Sequence, residues 1–267
     1  MTSLWIVTLA AFVLLALIIV VLIKTTRLRA WQGMLLFLLP LLLANLLWFS
    51  WLKPQQQHAA QQQAAIDYLV KMPGYRVLPT QEPALWQLLV QELQLRLRRG
   101  EAPQQAAGEL RGWLADLINQ RVMRAPDAAV VNYIRASVNV MQALGQRDPQ
   151  LCFRFLYPQV SGGVNLAKTL SPTLNAQDAA AMEQLLLSSR GADLPVDQPQ
   201  AQHDLQRIVA DLYKKWGDKL QQLNMPADTA VDRSSMCAMS VDLYSAILAL
   251  PDKHAANLLR RMVALSG

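Results

Sequence analysis

The chain of 267 residues contains no Asp or Glu before Asp67, three histidines, two cysteines and no glycine-rich phosphate loop. Each scarcity removes a class of chemistry. His58, His203 and His254 are far apart, and neither H-E-x-x-H nor C-x-x-C occurs, so the sequence offers no metal site. The nucleotide fingerprints G-x-x-x-x-G-K-[ST] and G-x-G-x-x-G are both missing, and no cofactor is expected. The nucleophile elbow G-x-S-x-G is missing too. Ser161 precedes two glycines, and Ser234 and Ser235 follow Asp232-Arg233, but the sequence places no base beside any of them. Serine at a helix start is ordinarily a cap.

What the N-terminus does have is apolar length. Leu4–Ile23 and Met34–Leu52 flank a short loop bearing Lys24, Arg27 and Arg29. About 20 helical residues span the roughly 30 Å hydrocarbon core, and lipid offers no partner to an open backbone. The pattern predicts a transmembrane hairpin over residues 1–53, with helices at about 4–23 and 34–52 and loop 24–33. Pro40 is expected to kink the second helix. Trp5, Trp31, Trp48 and Trp51 fall near run ends, where indoles favour the headgroup layer. The cationic loop points to the cytoplasm, which puts both chain ends across the membrane. In a Gram-negative bacterium that means an inner-membrane protein whose N-terminus and C-terminal domain face the periplasm. A cleaved signal peptide fits less well. The charges follow the first run, and the second ends in Trp48-Phe49-Ser50-Trp51 rather than in small residues.

Asn45 is the one amide at membrane depth. It reads either as satisfied within the hairpin or as a contact to a partner's membrane helix.

The net charge of +6 is mostly a property of this segment. Removing Lys24, Arg27, Arg29 and Lys53 from the 25 basic residues leaves 21, against 19 acidic ones. A balance so close to neutral gives no argument for nucleic acid. The two cysteines, Cys152 and Cys237, both lie in the part expected to be exported. An oxidising compartment predicts a bridge between them, the alternative being two buried thiols.

Beyond the hairpin, residues 54–72 begin PQQQHAAQQQ and read as a solvated helical stalk. Residues 73–267 read as an all-α domain punctuated by proline and glycine. Leu85, Leu88, Leu89, Leu93 and Leu97 form a stripe on a helix from Pro83 to Arg99. The next helix opens at Pro103, with Leu110, Trp113, Leu114, Leu117, Ile118 and Val122 inward. A third runs from Pro126 to Gly145, and a short one over Pro149–Tyr157 carries Cys152. Asn175 is expected to cap a helix ending at Arg190. Gly191–Pro199 is the most linker-like stretch and a candidate subdomain boundary. Leu205, Ile208, Val209, Leu212, Trp216, Leu220 and Leu223 predict one long amphipathic helix. Two final helices are separated by Pro251. Strand-like alternation is absent.

Ser161-Gly162-Gly163 is the most irregular segment, either a plain turn or a binding loop on a rigid scaffold. Taken together, the sequence predicts a tethered domain that contacts the bilayer and binds an envelope protein as an accessory or regulatory subunit. The alternatives are a cell-wall hydrolase using a carboxylate, and a membrane-bound ligand sensor. Trp86, Trp113 and Trp216 all fall on apolar helical faces, so core packing accounts for them before sugar binding does.

Overall fold

A computed structural model of the chain describes residues 45–266, together with residues 18, 20, 21, 38, 39, 42 and 43. The loop residues Lys24, Arg27 and Arg29, Pro40, most of the first apolar run and part of the second lie outside the described residues. Among the described residues no helix is long and apolar enough to cross a membrane. The chain divides into two units, Met1–Ala64 and Ala65–Gly267.

In the first unit, Asn45 is helical and exposed, and a π-helical turn follows at Trp48–Leu52. Ser50 Oγ donates back to the Leu46 carbonyl, and Lys53 Nζ sits 4.9 Å over the Phe49 ring. α1 (Lys53–Lys71) carries the Gln- and Ala-rich stretch. Described side chains before its last two turns stay out of any core, because they are short or polar.

The second unit contains helices and no strand among the described residues. Ala65 and Leu69, at the end of α1, are buried in its core. A 3-10 turn (Tyr75–Val77) and α2 (Leu78–Gln81) lead to α3 (Pro83–Arg98). α4 (Pro103–Glu109) and α5 (Arg111–Val122) follow. α6 (Asp127–Arg147) is the longest helix, and α7 (Pro149–Leu156), α8 (Pro158–Ser161) and α9 (Leu166–Thr169) form short steps after it. α10 (Pro172–Ser188), α11 (Gln198–Trp216), α12 (Arg233–Leu248) and α13 (Asp252–Ser266) complete the unit.

α6 is the axis of the fold, because its apolar residues form a broad buried face and leave a strip of Asn132, Arg135, Asn139 and Gln142 exposed. Val130, Val131, Val138, Val140, Met141 and Leu144 are buried, and α7, α10, α12 and α13 pack against it. Asp127 in its first turn and Arg147 in its last oppose the helix dipole. Five helices start on a side-chain cap. Asp148, Asn165, Ser171, Asp197 and Asp232 each accept a hydrogen bond from a first-turn backbone N–H of α7, α9, α10, α11 and α12.

Cys152 on α7 and Cys237 on α12 are joined, with Cα atoms 5.8 Å apart. Their bond lies in a small apolar cluster with Val138, Met141 and Leu144 of α6. The helix beneath must come close, and it does so through Gly145. A Cβ there would meet Cys237 Sγ at 3.2 Å.

Several elements differ from the sequence reading. The helix expected from Pro103 is two helices broken at Leu110. The long helix expected through Leu223 ends at Trp216. Gly217, at φ 56°, turns the chain into a 3-10 stretch, Gly217–Asn224. Asn175 lies inside α10, and Ser171 is the cap, since Pro172 is pre-set for the first helical position. Leu88 lies outside the buried stripe of α3 and is 52% exposed. The segment after Gly191 is pinned at both ends, by Leu194 N–H to the Met123 carbonyl (2.8 Å) and by Asn257 to both backbone groups of Asp197.

Candidate functional site

The site begins with α5. Trp113, Asp116 and Gln120 are spaced three and four apart, so they share one helical face, and all three are exposed. Leu117 lies at the inner edge of that face. α3 contributes Leu85 from its first turn, and Glu82 sits just ahead of it. Together with Arg121 and Arg124 these residues enclose a shallow depression of about 410 Å³.

Its walls are set by ion pairs. Arg121 is buried, its Nη2 paired with the Glu82 carboxylate and its Nη1 donating to the Ser189 carbonyl. It thereby ties the start of α3 and the end of α10 to α5. Arg124 Nε donates to Asp193 Oδ1 at 2.8 Å, and Arg190 Nε donates to Gln81 Oε1 at 2.7 Å. The cations of the depression are thus matched, whereas Asp116 forms no ion pair with a described residue.

Three buried acids lie elsewhere, of which Glu183 on α10 is paired with Arg76. Asp178 on α10 is 6% exposed, and burial pushes its carboxyl up to about 6. Burial, reinforced by the charge of Asp178, pushes the Tyr133 phenol of α6 up to about 12. Asp178 does not line the depression. Asp204 on α11 is more buried still. Its Oδ2 accepts from Gln200 Nε2 at 3.0 Å and lies 3.1 Å from His254 Nδ1 of α13, while Arg207 Nη2 is 3.5 Å from Oδ1. Burial opposes its ionisation. The Gln200 bond, His254 and Arg207 outweigh that and hold the carboxyl below the usual aspartate range.

The residues singled out in the sequence are spread over the second unit. Ser161 ends α8, and Gly162 follows at φ 72°. The Gly163 carbonyl accepts from Arg154 Nη2 at 2.9 Å, which folds this segment onto α7. Ser234 and Ser235 both bond to the Asp232 cap rather than capping by themselves. His203 and His254, far apart in sequence, meet at Asp204. Trp86 packs on the core as expected, but Trp113 is 38% exposed and forms a wall of the depression. Trp216 is partly buried and donates Nε1–H to Asp242 at 2.7 Å. The sequence reading missed the depression. Its one local signal is an acid three residues after a tryptophan on the polar side of an amphipathic helix.

No protein-family model matches the chain, and neither a curated protein nor a solved structure shows a significant match to it.

Proposed function

We propose that the protein is a bacterial inner-membrane protein whose helical C-terminal domain binds a protein partner in the envelope, as an accessory or regulatory subunit. The observation that carries this reading is an exposed apolar row on α3 that begins at Leu85, a wall of the depression. Leu88 and Leu95 stand out on α3 at 52% and 37% exposure, with Leu85 on the same helical face and Trp113 across from it. Exposed apolar side chains aligned on one helical face suit an interface, where aromatic and aliphatic anchors provide most of the binding free energy.

The hairpin belongs to the same proposal. Each large apolar side chain of described exposure before Lys53 is 40–62% exposed, among them Leu42, Leu43, Leu46 and Phe49. Water penalises that arrangement and hydrocarbon does not. Three cations between two apolar runs favour a cytoplasmic loop and a periplasmic domain. Tethering in one layer raises the effective concentration of a partner held there.

Two measurements test the proposal. Alkaline phosphatase fused after Gly267 should be active in intact cells, and a fluorescent reporter that matures only in the cytoplasm should be dark at the same position. A photo-crosslinking amino acid at Leu95 should capture one stoichiometric envelope protein, and Leu88→Asp should abolish the adduct. A reporter active only inside the cell, or recovery of uncrosslinked monomer alone, overturns the reading.

A second reading is favoured by one observation. Burial raises the Asp178 carboxyl to about 6, the direction of shift that a hydrolase acting on cell-wall polymers through a general acid needs. Turnover of purified cell wall that disappears in Asp178→Asn would establish it.

A further inference from the structure

The depression between α3 and α5 has a charge account that singles out one kind of visitor. Of its four ionised groups, Arg121 is matched by Glu82 and Arg124 by Asp193. Asp116 remains as the carboxylate with no ion pair to a described residue. It stands one helical turn from Trp113, whose indole is 38% exposed, with the Gln120 amide on the next turn. Leu85 and Leu117 supply apolar wall. A π face beside an unmatched carboxylate attracts a cation, and both attractions strengthen when the cation arrives on a long apolar stem that can lie along leucine. An anion would find both arginines already occupied, and the Asp116 charge would repel it.

We infer that this depression receives one basic side chain of the partner protein. Its stem lies on Leu85 and Leu117, and its head lies between the Trp113 ring and the Asp116 carboxylate. The inference rests on the partner-binding reading above and names the chemistry of its anchor. The volume agrees. About 410 Å³ is near the lower end of the roughly 300–1,000 Å³ typical of ligand sites, so it suits a side chain and its flanking backbone rather than a whole helix. Arginine is the better occupant, since its planar head can stack on the indole and still donate to a carboxylate.

The test uses the full-length protein in detergent micelles, with N-acetyl-arginine amide and its neutral isostere N-acetyl-citrulline amide as probes. The readout is the Trp113 indole N–H resonance, assigned through Trp113→Phe. The arginine probe should shift that resonance saturably and citrulline should not. Asp116→Asn should weaken the arginine probe by about tenfold, the scale of one lost charge-assisted contact, and Asp116→Glu should restore it. Asp116 is exposed, so neither variant disturbs the core. Equal shifts from both probes, or unchanged arginine binding in Asp116→Asn, overturn the inference. If the Leu95 crosslink survives Asp116→Asn while arginine binding is lost, the partner does not use this anchor. The inference then falls and the partner-binding reading stands. If no partner is captured at all, the reading falls, and with it the assignment of this depression to a partner's side chain.

Discussion

Cys152 and Cys237 are bonded across a sequence separation of 85 residues, and the bond clamps α7 to α12 directly above α6. Closing a loop of that length lowers the entropy of the unfolded chain. The chain-entropy relation gives about 4–5 kcal/mol, which strain or residual structure would reduce. Replacing both cysteines by alanine should therefore lower the denaturant midpoint substantially without changing the helical spectrum. Equal midpoints for the wild-type protein with and without reductant would contradict this.

Gly145 owes its place to the same bond. In a helix interior, alanine is ordinarily better than glycine by about 1 kcal/mol. Here the added methyl would stand 3.2 Å from Cys237 Sγ and 3.9 Å from Cys152 Cβ. Those atoms are buried and covalently tied, so they yield little, and Gly145→Ala should destabilise by about 1–2 kcal/mol. In a Cys152→Ala, Cys237→Ala background the sulfur is gone, and the same change should become neutral or stabilising. A double-mutant cycle read by chemical denaturation measures that reversal of sign.

Asp178 should make the protein more stable in mild acid than at neutral pH. Its carboxyl is raised to about 6, against about 3.9 for an unfolded aspartate. Between these values the folded state holds a proton that the unfolded state has released. Stability from this group therefore falls as pH rises from about 4 to about 6, and stays low above that. Two pKa units correspond to about 3 kcal/mol. Asp178→Asn should thus raise stability by about 2–3 kcal/mol at pH 7.5 and change it little at pH 4. Thermal denaturation at the two pH values decides the matter, and no gain at pH 7.5 would count against a desolvated carboxyl.

Asp204 should behave oppositely. Burial opposes its charge, but the Gln200 amide, His254 and Arg207 hold the carboxyl below the ordinary range. A depressed acid contributes stability that is present above its unfolded value and is lost as pH falls through its folded value. Asp204→Asn should cost about 1–3 kcal/mol at pH 7, the range for a hydrogen bond to a charged group. The difference from wild type should shrink once the pH drops below about 4. A penalty independent of pH would assign the effect to packing rather than to charge.

Much of the second unit was readable from local pattern. Proline opens α3 and α7 at Pro83 and Pro149, and the valines of α6 repeat at helical spacing. With only two cysteines, their pairing needed no geometry beyond an oxidising compartment. Less could be read where the local rules compete. Leu88 fits the apolar stripe of α3 by spacing, yet nothing covers it, because periodicity states which face a residue shares and not what packs there. Ser171 and Asn175 are both acceptable caps, and the proline after Ser171 decided between them.

By itself the sequence determined that this chain is helical, that its cysteines can be bridged and that its chemistry includes no recognisable metal or nucleotide motif. These are properties of composition and short spacing, which each stretch of chain carries within itself. Only the tertiary structure decided that Asp178 is desolvated, that His254 reaches Asp204, and that Trp113 and an unmatched Asp116 share a depression walled by α3. Burial and ion pairing depend on which separate helices meet, and contacts between residues on different helices leave no trace in local periodicity.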